Sequence, residues 1–487
     1  MKKIIPLKEI PIDYNQSDKM EEECGVFAVY NKDNVENIAN LAYCGLFALQ
    51  HRGQESAGIT LLNDGYIETI KGMGLVSEVF DQDQLSTKTG NAVIAHVRYS
   101  TTGSSTLANA QPLSARSILG DIALAHNGNL VNANRLRHQM ELEGNIFQSS
   151  SDSEVILNMV ARRSKMGVEE AVKDTCNVIS GGYAIVMLIA RKLVAVRDPL
   201  GIRPLCIGQI KETGTYILAS ESCALDIAGA ELIRDVEPGE MVVIDENGLH
   251  SSYYIQEKTR ASCSFEYIYF ARPDSILDGK DVYHVRGTAG RYLARQGKVD
   301  ADVVIGVPDS GIVAAIGYSE ESGIPYSMGL VRSKYMGRSF ILPTQQLREQ
   351  AVKLKLNPMR QVVSGKRIIL VDDSLVRGTT AKKLIKLMRD AGATEVHFRL
   401  ASPMVKSECF FGVDISSKEE LIASKMNILQ MCKEIGADSL DFLSIENQRE
   451  ILGGDGFCEG CFTGSYPIND VEPLVHEQHV QGMLDFE

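Results

Sequence analysis

Apolar positions in the first half of the chain come in short unbroken runs between polar and glycine-rich breaks. CGVFAVY begins at Cys24, and AVIAHVRYS (92–100), IALAHNG (122–128), YAIVMLIA (183–190), YILAS (216–220) and MVVID (241–245) follow. Continuous runs of this length predict strands buried in packed sheets. A helical period links Ile38, Leu41, Ala42, Leu46 and Leu49 and closes at Gly53. Ser151 with Glu154 three residues on predicts a helix opened by a capping box. Many strands with few helices predict an α+β layered domain of antiparallel sheets with helices outside.

From about residue 270 the pattern changes. VVIGV (303–307) leads through Pro308-Asp309-Ser310-Gly311 into an Ala-rich helical stretch, and RIILV (367–371) leads through DDSLVRGTT into AKKLIKLMRDAG. Alternating apolar strands and helices predict a parallel α/β sheet. The segment from about 410 reads as an appendage. Residues 1–23 end in Glu21-Glu22-Glu23, show no period and read as a tail.

The 487 residues suit two or three domains, and 44% hydrophobic with 23% charged residues excludes a disordered chain. Lys plus Arg is 50 against 63 for Asp plus Glu, a net charge of −13 that argues against nucleic acid or anionic membrane as partner. No apolar run reaches the roughly 18 residues of a membrane helix, and the charged N-terminus lacks a signal-peptide core, so a cytoplasmic location is expected. Ten cysteines are too few for a secreted disulfide scaffold and point to packing, catalysis or metal.

The motif IILVDDSLVRGTT (368–380) delivers Asp372 and Asp373 to the C-terminal end of a strand, where open α/β sheets bind ligands. Ser374, Arg377, Gly378, Thr379 and Thr380 then form a turn whose amides, hydroxyls and helix dipole suit a phosphate. Two carboxylates repel phosphate, so they must hold vicinal hydroxyls, a metal, or both. No G-x-x-x-x-G-K-[ST] and no strand-linked G-x-G-x-x-G occurs, which removes support for ATP hydrolysis and dinucleotide redox chemistry. These residues resemble the type I phosphoribosyltransferases. The resemblance implies phosphoribosyl pyrophosphate (PRPP) with one Mg²⁺ per subunit, held at Ser310, Asp372 and Asp373. Asp309, Ser310 and Gly311 would form the pyrophosphate loop, with Arg332 and Lys334 as further ligands. Segment 331–367 carries nine Lys or Arg against Glu349 alone, a basic stretch broken by Gly337 and Pro343 that reads as a mobile lid.

Cys24 stands where the charged tail meets a buried strand. HVRYSTTG presents Arg98, whose planar fork suits a carboxylate. HNGNL presents Asn127 and the Gly128 amide as an oxyanion hole, and SSSDSE presents Asp152 for an ammonium. Together they would grip a free α-amino acid and attack its side-chain carbonyl. With HRGQESAG (51–58), these segments resemble the N-terminal-nucleophile glutamine amidotransferases. The resemblance implies Cys24 as nucleophile, His126 among the glutamine contacts, and removal of residues 1–23 to free the α-amine that serves as base.

Both halves, with FARPDS (270–275) between them, resemble the glutamine-dependent amidophosphoribosyltransferase family, iron–sulfur subgroup. The expected architecture is a four-layer α+β glutaminase domain (24–255) joined to an α/β parallel-sheet phosphoribosyltransferase domain (256–440), with a propeptide 1–23 and a C-terminal segment 441–487. The implied reaction hydrolyses glutamine and channels ammonia to C1 of PRPP, giving 5-phosphoribosylamine and pyrophosphate, the first committed step of purine synthesis. Cys458-Glu-Gly-Cys461 by itself suits zinc or a redox pair as well as iron. The resemblance adds Cys263 and Cys409 and implies one [4Fe–4S] cluster per subunit. It further implies inhibition by AMP, GMP and ADP, and a homo-oligomer, a tetramer. Asparagine synthetases need an S-G-G-x-D-S loop, whereas Ser180-Gly181-Gly182 here enters an apolar strand. Isomerising synthases lack the DDSLVRGTT turn, and PRPP-sensing transcription regulators lack the glutamine half.

Overall fold

The computed structural model describes residues 24–33, 37–63, 65–99, 105–256, 259–333, 356–415 and 418–468. The expected propeptide, Lys334 and most of the basic segment lie outside the described residues. Thirteen strands build the first domain: β1 Gly25–Tyr30, β2 Ser56–Asn63, β3 Tyr66–Met73, β4 Ala92–Arg98, β5 Leu113–Ser117, β6 Gly120–Leu130, β7 Gly181–Ile189, β8 Lys192–Arg197, β9 Cys206–Ile210, β10 Thr215–Ala219, β11 Glu231–Asp235, β12 Glu240–Asp245 and β13 Gly248–Tyr253. One sheet runs β11-β9-β10-β1-β4-β2-β3, the other β13-β12-β8-β7-β6-β5, and both are antiparallel.

The sheets face each other across a core of small and branched residues, among them Val26, Ala28, Ile94, Ala125, Ala184 and Val186. The outer face of the first sheet buries Phe27, Val29, Val93 and Ala95 under helix Ile38–Ala48. The outer face of the second buries Ile122, Leu124 and Tyr183 under helices that include Asp152–Arg163. Each inner strand is therefore apolar on both faces, which is why its sequence shows runs and not alternation. The result is the expected four-layer order of helix, sheet, sheet, helix. The capping box differs from expectation. Ser151 accepts the Ser153 amide, but Glu154 turns upstream and accepts the amides of Gln148 (2.8 Å) and Ser149 (2.7 Å).

The second domain holds a four-stranded parallel sheet in the order Val303–Gly306, Arg367–Asp372, Glu395–Leu400, Ser439–Phe442. The boundary expected at 440 falls inside its last strand, so the domain extends past Phe442. The C-terminal segment is also more than an appendage. Val405, Phe411, Ile415 and Phe462 share one buried cluster with Phe265 and Phe270 of the linker and Val131 and Ile202 of the first domain. It braces the two domains together.

Candidate active sites

Cys24 lies half-buried just before β1, and pairing of Gly25 with Val97 sets it beside Arg98 at the end of β4. Its Sγ donates to the Tyr99 carbonyl at 3.4 Å, and its own carbonyl accepts Arg52 Nε–H at 3.0 Å. Arg52 is buried and ion-paired to Glu221 at 2.6 Å and to Glu266 at 2.6 Å. Burial opposes the charge of Glu221, but His51 and Arg52 outweigh it and hold its carboxyl well below the usual range. A guanidinium gripped by two buried carboxylates cannot drift, so it anchors the Cys24 backbone. Arg52 lies within HRGQESAG, but that motif does not reveal this anchoring role, because its partners lie 169 and 214 residues away. Arg98 is 3% exposed and already pairs with the Glu55 carboxylate. A substrate carboxylate there would share the fork with Glu55.

The opposite wall comes from β6. β5 pairs with it only as far as Leu124, leaving an open edge beyond. Strand alternation points the backbone groups of His126, Gly128 and Leu130 to that edge. The His126 amide donates to Gln111 Oε1 (2.7 Å), the Leu130 amide donates to Asp152 Oδ2 (3.0 Å), and the His126 carbonyl meets His96 Nε2 (3.0 Å). Gly128 stands between them along β6. Gly128 has φ +139°, and a Cβ there would fall 2.0 Å from the Gly182 carbonyl oxygen, so no side chain fits. Asn127 is buried with both amide atoms lacking a hydrogen bond among the described residues. A buried amide left open beside a backbone N–H suits a developing oxyanion. His126 differs from expectation. Its ring lies on the helix side of β6, Nδ1 3.1 Å from Ser153 Oγ and 3.7 Å from Asp152 Oδ1, so it backs Asp152 instead of lining the Asn127 face. Burial opposes ionisation of Asp152, but the His126 ring and the Leu130 amide hold its carboxyl below the ordinary value.

The second site sits where strand Arg367–Asp372 ends. Asp372 and Asp373 are 4% and 3% exposed. Asp373 accepts the hydroxyls of Ser310 and Ser374, the latter at 2.5 Å, and its amide donates to Asp372 Oδ1 at 3.0 Å. Ser310 thus joins the Pro308–Gly311 loop to an acidic pair 63 residues away. Gly378, at φ +89°, turns the chain so that helix Thr379–Asp390 opens with two threonines, and its N-terminal end faces the acidic pair's side of the turn with the dipole polarity that suits a phosphate. Arg377 pairs with Glu420 at 2.7 Å, and Arg332 with Asp309 at 3.3 Å. Arg286, buried beneath the site, donates to the carbonyls of Tyr267 and Ala271, and burial pushes its guanidinium down to about 10, with Asp373 opposing.

A glutamine amidotransferase domain model matches residues 96–226, and a phosphoribosyl transferase domain model matches residues 274–404. The amidophosphoribosyltransferase of Bacillus subtilis is 46% identical over 463 residues, covering 94% of this chain and 96% of its own. That of Archaeoglobus fulgidus is 48% identical, covering 92% and 98%. The chain belongs to the amidophosphoribosyltransferase family. The solved structure of the B. subtilis glutamine PRPP amidotransferase with ADP and GMP superposes with a TM-score of 0.86 at 45% identity, covering 92% of this chain and 99% of that one. As in any amidophosphoribosyltransferase, two chemistries share one chain, and no helix among the described residues is long and apolar enough to cross a membrane.

The chain also gathers four cysteines. Cys263, Cys409, Cys458 and Cys461 line one cavity walled by Ile202, Phe265, Phe411 and Val413. Cys263 and Cys458 are partners in a two-residue parallel bridge. Burial, then the neighbouring Cys409, Cys458 and Cys263, pushes the Cys461 thiol well above its usual range, and burial pushes Cys458 up to about 12. Thiols so placed ionise only with a cation to compensate them.

Proposed function

We propose that Cys24 cleaves glutamine and that ammonia passes within the protein to PRPP held at Asp372–Thr380, yielding glutamate, 5-phosphoribosylamine and pyrophosphate in purine synthesis. The observation that carries this reading is the linker. Glu266 holds Arg52, which holds the Cys24 carbonyl, while the adjoining Tyr267 and Ile268 wall a cavity that Arg286 and Ser310 also line. One segment touches both sites.

Removal of residues 1–23 frees the Cys24 α-amine, which takes the thiol proton as sulfur attacks the amide carbon of glutamine. The oxygen of the tetrahedral adduct receives the Gly128 N–H and the Asn127 amide. As the C–N bond breaks, the α-ammonium returns the proton to the leaving nitrogen, and water then hydrolyses the thioester. Asp152 takes the substrate ammonium, and Arg98 shares its fork between Glu55 and the substrate carboxylate. At the second site Asp372 and Asp373 embrace the ribose hydroxyls, and Ser374 to Thr380 hold the 5′-phosphate. Asp309, Ser310, Gly311, Arg332 and Lys334 take the pyrophosphate. Ammonia bonds to C1 as the C1–O bond to pyrophosphate breaks.

Ser310, Asp372 and Asp373 offer the hard oxygens that Mg²⁺ prefers, and the ion when bound would neutralise the departing pyrophosphate. The four cysteine thiols fit a [4Fe–4S] cluster. Their number and their placement around one cavity support that assignment. Its role would be to tie the C-terminal segment to the linker. The ADP and GMP held by the B. subtilis relative support control by AMP, GMP and ADP here, in a cytoplasmic homotetramer. Pyrophosphate release that requires both glutamine and PRPP, from a chain whose intact mass begins at Cys24, is the expected result. Full activity with Met1 retained would remove the nucleophile assignment.

A further inference from the structure

The glutamine-cleaving residues are divided between two sheets, with Cys24 beside β1 and β4 and the oxyanion donors on β6. The layer between the sheets is made largely of small apolar side chains. Such contacts fix the sheet spacing but resist sliding weakly, because apolar burial is non-directional. His96 crosses this layer. It is fully buried, pairs in register with Val26 of β1, stands two positions before Arg98, and reaches the His126 carbonyl at 3.0 Å. A carbonyl only accepts, so Nε2 carries the proton. Burial pushes the ring down to about 3, which keeps it neutral across the working range. Nδ1 is buried without a partner among the described residues. The ring forgoes one hydrogen bond and keeps the cross-sheet one.

We infer that His96 is a positioning residue for glutamine cleavage. Its bond to the His126 carbonyl replaces the ladder partner that β5 fails to supply, and holds Asn127 and the Gly128 amide in register with Cys24. Gln111 completes the substitution by accepting the His126 amide. The inference rests on the assignment of Cys24, Asn127 and Gly128 above, which Cys24→Ala tests separately.

Mature holoenzyme carrying His96→Leu fills the space without a donor, whereas His96→Gln places an amide nitrogen near the position of Nε2. Displacing an oxyanion donor should lower the glutaminase kcat of His96→Leu by about 10- to 100-fold. The KM for glutamine should stay within about twofold, and ammonia-dependent synthesis should be unchanged. His96→Gln should recover most of the lost kcat. The aldehyde analogue of glutamine, whose hemithioacetal oxygen occupies the hole, should weaken in step with kcat while inhibition by glutamate does not. If His96→Leu does not fold, His96→Asn replaces it, because its donor stops one methylene short and it should be slow where His96→Gln is not. Unchanged kcat in His96→Leu, a rise in KM alone, or equal kcat in the Asn and Gln variants would overturn the positioning role. Retained glutamine use in Cys24→Ala would instead overturn the assignment beneath it.

Discussion

The two candidate active sites are built in opposite ways. The proposed PRPP site is almost continuous in sequence, with nine residues from Asp372 to Thr380 and one loop docked on them through Ser310. The proposed glutamine site is assembled from both sheets, a helix N-terminus and the linker, and most of its charged groups already hold internal partners. A site made of one turn can be varied locally. A site made of crossing sheets depends on everything that sets their register, including Arg52 and His96.

That contrast sharpens most through Cys24→Ala, which should cut glutamine-dependent synthesis by at least about 10³-fold while ammonia-dependent synthesis persists. Parallel loss of both activities would mean that the sites are not chemically separable. Asp372→Asn with Asp373→Asn should reduce synthesis from either nitrogen source by about 10²-fold through weaker PRPP binding, leaving basal glutaminase intact. Titration of PRPP by calorimetry checks this, and unaltered affinity would refute it.

Glu266→Ala acts between the two regions. It leaves the buried Arg52 guanidinium short of a carboxylate, which should destabilise the protein by about 3 kcal/mol. Urea unfolding followed at both domains reads it, and a shift confined to the second domain would count against Arg52 as the anchor of Cys24. The smallest effect concerns acid. The Glu221 carboxyl is held below its usual value, so its contribution to stability is present above about pH 4.3 and is lost as pH falls towards the lower folded value. The gap in urea midpoint between wild type and Glu221→Gln should therefore narrow from pH 5 to pH 3. A constant gap would show that Glu221 contributes by shape and not by charge.

The chain alone determined what local chemistry can encode. Buried strands appear as apolar runs because both faces are covered. The acidic pair, the Gly378 turn and the paired threonines are adjacent in sequence, so their grouping at one strand end is legible there. Cys24, Asn127, Gly128 and Asp152 stand out as candidates along the chain, because each lies within a short motif of special residue types. Tertiary structure decided the rest. The strand Ser439–Phe442 belongs to the parallel sheet because register, not sequence order, closes a domain. His126 lies on the helix side because strand alternation turns it away from Asn127. Glu154 caps upstream amides because the incoming chain folds over the helix end. Arg52 and His96 lie inside the motifs HRGQESAG and HVRYSTTG, but nothing along the chain pairs Arg52 with Glu266 or His96 with the His126 carbonyl. They acquire meaning only when folding removes water from around them, since a buried charge or ring must then find its partner wherever the fold has placed it.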